Sequence, residues 1–310
     1  MGLNISARVV ERLKANPGDR FKAREIAQWI FENYPAECQE KKRNSKSLQT
    51  DADLLQQLVA EIGANRPLIQ KRSPQVRTTA ERPRRYFWSE TTDEAAVAEA
   101  EGTIVPQATA PTAEPEREHD LYPKLTRFLS AEWGLFSKRI DEKTASNKNG
   151  PKGNQWLYPD LVAMEDLTRD LEREVRDWLS TAGAKKVRLW AFEVKLLLNR
   201  SNVREAFFQT VSNSSWANFG YLVAADIQGE ETIRELRMLA ALHGVGVILL
   251  DSSSPEDASE VLIPARERIE IDWANANRLA AENRDFMGVV KLVRQFHQTG
   301  DPRAKDWDQA

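Results

Sequence analysis

The sequence predicts an α/β protein with a mixed central sheet, preceded by a small helical unit that ends in a hairpin. Three observations predict it. From about residue 118 onward, segments with apolar residues at helical spacing alternate with short apolar runs of strand length. Residues 5–63 carry the helical spacing alone. Between these regions, residues 91–117 are acidic and rich in Ala and Thr, and Pro106, Pro111 and Pro115 interrupt them. Such a segment buries too little apolar surface to offset chain entropy. The chain therefore divides into residues 1–90, a linker at 91–117, and residues 118–310.

In the first unit, Ile5, Val9 and Leu13 predict a helix over 5–15, closed by a Pro-Gly break. Ile26, Ala27, Ile30 and Phe31 predict a second over 22–34. Lys41–Ser47 reads as a basic connection. Leu54, Leu55, Leu58, Val59 and Ile62 predict a third helix, with Gly63 as its stop. Residues 67–72 and 84–88 read as the strands of a hairpin. In the second unit, Leu121, Leu125, Phe128 and Leu129 predict a helix over 119–133. A strand at 134–140 and a Lys/Asn/Gly-rich loop at 141–155 follow. Strands are expected at 157–164, 187–195, 219–225, 245–251 and 261–264. Helices are expected near 166–181, 203–213, 230–243 and 273–296.

Composition narrows the function. The net charge of −3 does not advertise a nucleic-acid binder, but its distribution is uneven. Residues 1–90 hold 17 Lys and Arg against 11 Asp and Glu, whereas residues 91–120 hold one against eight. The single cysteine, Cys38, excludes an intrachain disulfide, and with three histidines it cannot build a zinc finger. No apolar stretch is long enough for a membrane span, and none resembles a signal peptide. A cytoplasmic protein without membrane association is expected.

Chemistry concentrates on two predicted strands. Asp160 follows Leu157-Tyr158-Pro159, and Glu193-Val194-Lys195 ends an apolar run from Val187. Residues two apart on a strand share a face, so Glu193 and Lys195 point together and Val194 points away. Two carboxylates suit Mg²⁺, which takes oxygen ligands and keeps several waters. A lysine beside them orients water and offsets charge on phosphorus. An E-x-K on a strand is otherwise a common ion pair. Glu118 raises the signal, because it lies on the helix face of Leu121, Leu125 and Leu129, where a carboxylate needs a partner. Gln209 lies on the helix after the lysine strand, in line with Ala206 and Asn213.

Glu118, Pro159-Asp160, Glu193-Val194-Lys195 and Gln209, in this helix–strand order, resemble the PD-(D/E)xK restriction-endonuclease-like nucleases. The resemblance covers about residues 118–251. It implies an αβββαβ core with a mixed central sheet and Mg²⁺-dependent phosphodiester hydrolysis, with Mn²⁺ as a substitute. It makes Asp160 and Glu193 metal ligands, Lys195 the water-orienting base and Glu118 an auxiliary acid. Gln209 resembles the helix glutamine of the RecB-like and Mrr-like branches. Where some members carry a tyrosine four residues later, this chain has Asn213.

Three helices and a two-strand wing in residues 1–90 look like a winged helix. Its expected DNA-binding residues are Lys42, Arg43, Lys46, Lys71, Arg72, Arg77, Arg84 and Arg85. Cations flanking a groove-entering helix position it through phosphates. The arrangement resembles the HARE-type helix-turn-helix. With the segment Gln209–Asn218, the two halves resemble the HrgA-like group, a winged helix joined to a restriction-type nuclease domain. These resemblances imply an endonuclease of restriction or defence type acting on double-stranded DNA, alongside defence-system partner proteins. One site per chain needs a dimer, or two visits, to cut both strands, so a homodimer is expected, at least transiently. The alternatives are a DNA-binding regulator or adaptor with an inactive nuclease-like domain, and a nuclease acting on RNA or modified DNA.

Overall fold

The computed structural model describes residues 3–45, 48–79, 83–102, 116–145 and 157–309. Residues 80–82, nearly half of the 91–117 segment and most of residues 141–155 lie outside them, as does Lys46. Two compact units divide the chain: Met1–Ala96 with Gln228–Glu230, and the remainder.

The first unit runs α1 (Ile5–Lys14), β1 (Phe21–Lys22), α2 (Ala23–Asn33), α3 (Pro35–Arg43), α4 (Asp51–Arg72), β2 (Val76–Thr78) and β3 (Arg85–Trp88). Its strands form an antiparallel sheet in the order β1-β3-β2. The helices enclose a core of Val9, Leu13, Ile26, Ile30, Leu54, Leu58 and Ile62.

Three expectations need correction here. Lys41, Lys42 and Arg43 are not loop residues but the last turn of α3, where cations complement the helix dipole. Gly63 does not stop α4, and residues 67–72 are helix rather than strand. Leu54, Leu58, Ile62 and Ile69 are all buried on one side of α4, so packing outweighs the poor propensity of Gly63 and Pro67, both of which are exposed. The two-residue β1 has no periodic signal and was not expected. Asp93–Ala100 forms α5, which buries Val97.

The second unit runs α6 (Glu118–Trp133), β4 (Phe136–Arg139), β5 (Leu161–Asp166), α7 (Arg173–Thr181), β6 (Val187–Leu198), α8 (Val203–Asn213) and β7 (Phe219–Ile227). It continues with α9 (Glu230–His243), β8 (Gly246–Leu249), α10 (Pro255–Ala258), β9 (Glu260–Ile263), α11 (Trp273–Glu282) and α12 (Arg284–Thr299). The unit is α/β, as expected. Its six-stranded sheet has the order β4-β5-β6-β7-β8-β9 and is mixed. The β6/β7 and β7/β8 pairs are parallel, and the other three are antiparallel.

Alternation along β6 sends its residues into two layers. Trp190, Phe192 and Val194 pack with Leu121, Leu125, Phe128 and Leu129 of α6. Ala191 packs with Leu279, Phe286, Val289 and Phe296 of α11 and α12. Trp190 and Trp216 are both core residues. The expected single helix over 273–296 is two, because the Asn283 side chain accepts the backbone N–H groups of Asp285 and Phe286 and caps a new helix. The helix α7 has no buried residue. Among the described residues, no helix is long and apolar enough to cross a membrane.

Candidate active site

The β5/β6 register builds the site. Leu161 pairs with Phe192, and Asp160 N–H donates to the Phe192 carbonyl (3.0 Å). Asp160 therefore stands across from Glu193, at the point where the chain enters β5. Glu193 lies on a central strand and is 1% exposed. One strand repeat on, Lys195 shares its face, while Val194 points into the layer of α6. From α6, whose first residue is Glu118, a fourth charged group reaches the same place.

Hydrogen bonds fix each carboxylate. Asp160 Oδ2 accepts the Val194 backbone N–H (2.7 Å), and Oδ1 lies 3.2 Å from the Tyr122 hydroxyl. That hydroxyl is also 3.1 Å from Glu118 Oε1. Glu193 Oε1 accepts from Lys195 Nζ (2.8 Å), and Oε2 accepts from Asn213 Nδ2 (3.0 Å). Glu118 Oε2 lies 3.6 Å from Lys195 Nζ. The structure thus brings together Glu118, Asp160, Glu193 and Lys195. Gln209 is buried on α8, one turn before Asn213, and is itself partnered. Arg139, an exposed residue of β4, sets its guanidinium 4.9 Å from the centre of the Tyr122 ring.

Electrostatics follow from this crowding. Burial pushes the Glu193 carboxyl up, and the Asp160 charge pushes it further, against the pull of Lys195. Burial likewise raises Glu118, to about 7, with Lys195 opposing and Asp160 reinforcing the rise. Burial disfavours the Lys195 charge, but Glu193, Asp160 and Glu118 outweigh it and hold the amine as ammonium, above its usual range. Burial, then the charges of Asp160 and Glu118, push the Tyr122 phenol well above its usual range, so it stays a donor.

Tyr122 and Asn213 were not among the expected site residues. Tyr122 follows Glu118 by four positions, which is the one signal the sequence offers. Asn213 showed in the sequence as a member of the helical stripe with Ala206 and Gln209, without a role of its own.

The expected cations of the first unit meet different fates. Lys42 is paired with Asp51 (2.9 Å) and Arg77 with Asp93 (2.7 Å), and Arg84 is ion-paired as well. Lys71, Arg72 and Arg85 are exposed. Arg43 ends α3.

No protein-family model, curated protein or solved structure matches this chain. What the protein does is therefore read from the site. Among the described residues, no three or more His, Cys, Asp or Glu side chains form a group that could hold a metal ion. A caged zinc or calcium centre has no counterpart there. Mg²⁺ needs less, since one or two carboxylates hold it while water and phosphate complete the shell.

Proposed function

We propose that the second unit is a Mg²⁺-dependent phosphodiesterase of restriction or defence type that cuts DNA, and that the first unit is a winged helix that docks the duplex. One observation carries the reading: Asp160 and Glu193 oppose each other across β5 and β6, with Lys195 on the same face. The order α6, β4, β5, β6, α8, β7 agrees with an αβββαβ core, with α7 as an excursion between its strands. In the first unit, the sheet order β1-β3-β2, with β1 between α1 and α2 and the other two strands after α4, agrees with a winged helix.

The donor set fits the cation. Asp160 Oδ2 and both Glu193 oxygens accept hydrogen bonds that fix their direction, and Asp160 Oδ1 shares the Tyr122 hydroxyl with Glu118. With Glu118 and Glu193 both ionised, as a bound cation would favour, three carboxylates face one ammonium, a formal excess of two negative charges. Asn213 Oδ1 is buried without a donor, an acceptor that a water held by such a cation would satisfy. Bound Mg²⁺ would lower the pKa of a water and clamp the scissile phosphate.

The chain's own groups supply the rest. Hydrolysis forms a bond from water oxygen to phosphorus and breaks the bond to O3′; the attacking water gives up one proton and the leaving O3′ takes one from solvent, leaving a 5′-phosphate and a 3′-hydroxyl. An ammonium takes no proton, so Lys195 orients the water as a donor and offsets charge on the pentavalent phosphorus. Glu118, poised near neutrality, suits the role of proton acceptor. Arg139 has its guanidinium at the surface beside Tyr122, where a neighbouring phosphate would pass. One site cuts one strand, so cutting both calls for a homodimer or two visits.

The test is cleavage of supercoiled plasmid with Mg²⁺ or Mn²⁺. Asp160→Ala and Lys195→Ala are each expected to slow it by about 100-fold or more. Metal-dependent cleavage that survives both substitutions sinks the assignment. Methylated, single-stranded and RNA substrates in the same assay sort the substrate class. A second reading of the first unit, as a protein-docking module, is favoured by the ion pairs that engage Lys42 and Arg77.

A further inference from the structure

We propose that Asn213 is a positioning residue of this site, one that sets the spacing between its two acids. The inference rests on the nuclease reading, in which Glu193 and Asp160 hold the metal. Asn213 is the last residue of α8 and is 2% exposed. Its Nδ2 donates to Glu193 Oε2 (3.0 Å) and to the Tyr158 carbonyl (2.9 Å). A backbone carbonyl accepts and does not donate, so the amide nitrogen must face that side. Both of its hydrogens are then committed, one to each side of the site. Tyr158 precedes Pro159-Asp160, so a single neutral amide joins the acid of β6 to the turn that carries the acid of β5.

The backbone that carries this amide is itself held. Trp216 Nε1 donates to the Asn213 main-chain carbonyl (2.8 Å), and Trp216 is 2% exposed. The next residue, Ser214, sits so close to β7 that a Cβ on Gly220 would lie 2.3 Å from its Oγ. The end of α8 therefore has little freedom to withdraw. A donor fixed to the second oxygen of a ligating carboxylate orients that carboxylate and tunes its affinity. A tyrosine here, with a single O–H to donate, would not bridge the same two acceptors.

The experiment measures Mn²⁺ affinity of the full chain by electron paramagnetic resonance, for wild type, Asn213→Leu and Asn213→Ser. Circular dichroism confirms folding. The leucine variant keeps the volume and loses both donors, and is expected to bind Mn²⁺ about 10- to 100-fold more weakly. Its cleavage should need correspondingly more metal while the rate at saturating Mn²⁺ largely recovers, a split that mere loss of stability does not produce. Should the leucine variant fail to fold, the serine variant decides, because one short hydroxyl cannot reach both acceptors and weaker binding is again expected. A folded variant with wild-type Mn²⁺ affinity overturns the proposal. Wild-type protein that binds no Mn²⁺ overturns it together with the nuclease reading. Wild-type protein that binds Mn²⁺ but cuts no nucleic acid removes only the nuclease reading, and the affinity comparison still decides the role of Asn213.

Discussion

Glu118 and Tyr122 stand one helical turn apart, and a single phenolic proton serves two carboxylates. Tyr122 can donate to Glu118 or to Asp160 at a given moment, not to both. Protonation of Glu118 relieves the competition, which accords with a pKa raised to about 7, chiefly by burial. A carboxyl whose pKa rises on folding binds its proton more tightly in the native state. Its contribution to stability is therefore largest below the ordinary carboxyl range and is lost as pH climbs towards about 7. Glu118→Gln in EDTA should flatten the fall in melting temperature between pH 5 and 8, as thermal scans by circular dichroism would register. An unchanged slope would show that Glu118 is not the group responsible. At this scale the charged residues were legible, because strand alternation puts Glu193 and Lys195 on one face. The neutral donors were not. A tyrosine or an asparagine has no charge to betray it, and its role emerges only once its acceptors are in place.

Elements were legible where an apolar stripe was long enough to define a period. The helices α8 and α9 have the expected limits, and the sheet strands appear in the expected order with ends shifted by a few residues. Failures came where local and tertiary preferences disagree. In α4 the buried stripe continues through Ile69, so the helix passes a glycine and a proline that local propensity reads as an end. This conflict leaves stability in reserve. The exposed Gly63 has ordinary helical geometry, and a Cβ there would meet nothing within 4 Å. Gly63→Ala should stabilise the first unit by about 0.5–1 kcal/mol, through reduced freedom of the unfolded chain and better helix propensity. Urea unfolding of the full chain gives the value, and destabilisation would mean that α4 is bent or strained at that point. The split between α11 and α12 has the opposite cause: Leu279, Phe286, Val289 and Phe296 enter one core cluster, and the interruption is a single capping asparagine.

Across the whole molecule, charge and connectivity do different work. The basic excess of residues 1–90 is partly engaged in ion pairs, among them those of Lys42 and Arg77. Composition alone does not show which cations are engaged. Connectivity explains the long gap between the two acids. Asp166 pairs with Val187, so a tight turn would suffice to join β5 to β6, yet residues 167–186 intervene. They include α7, which leaves Trp178 72% exposed. Closing a longer loop costs conformational entropy that grows with the logarithm of its length. Replacing residues 170–183 with a two-residue glycine turn should therefore raise stability by up to about 1 kcal/mol in urea unfolding, with Mn²⁺ affinity unchanged. A loss of stability would show that α7 supports the sheet. In polymer terms, the stretch between Asp160 and Glu193 is a loop whose ends the sheet holds together, and its length is felt by the unfolded chain rather than by the acids.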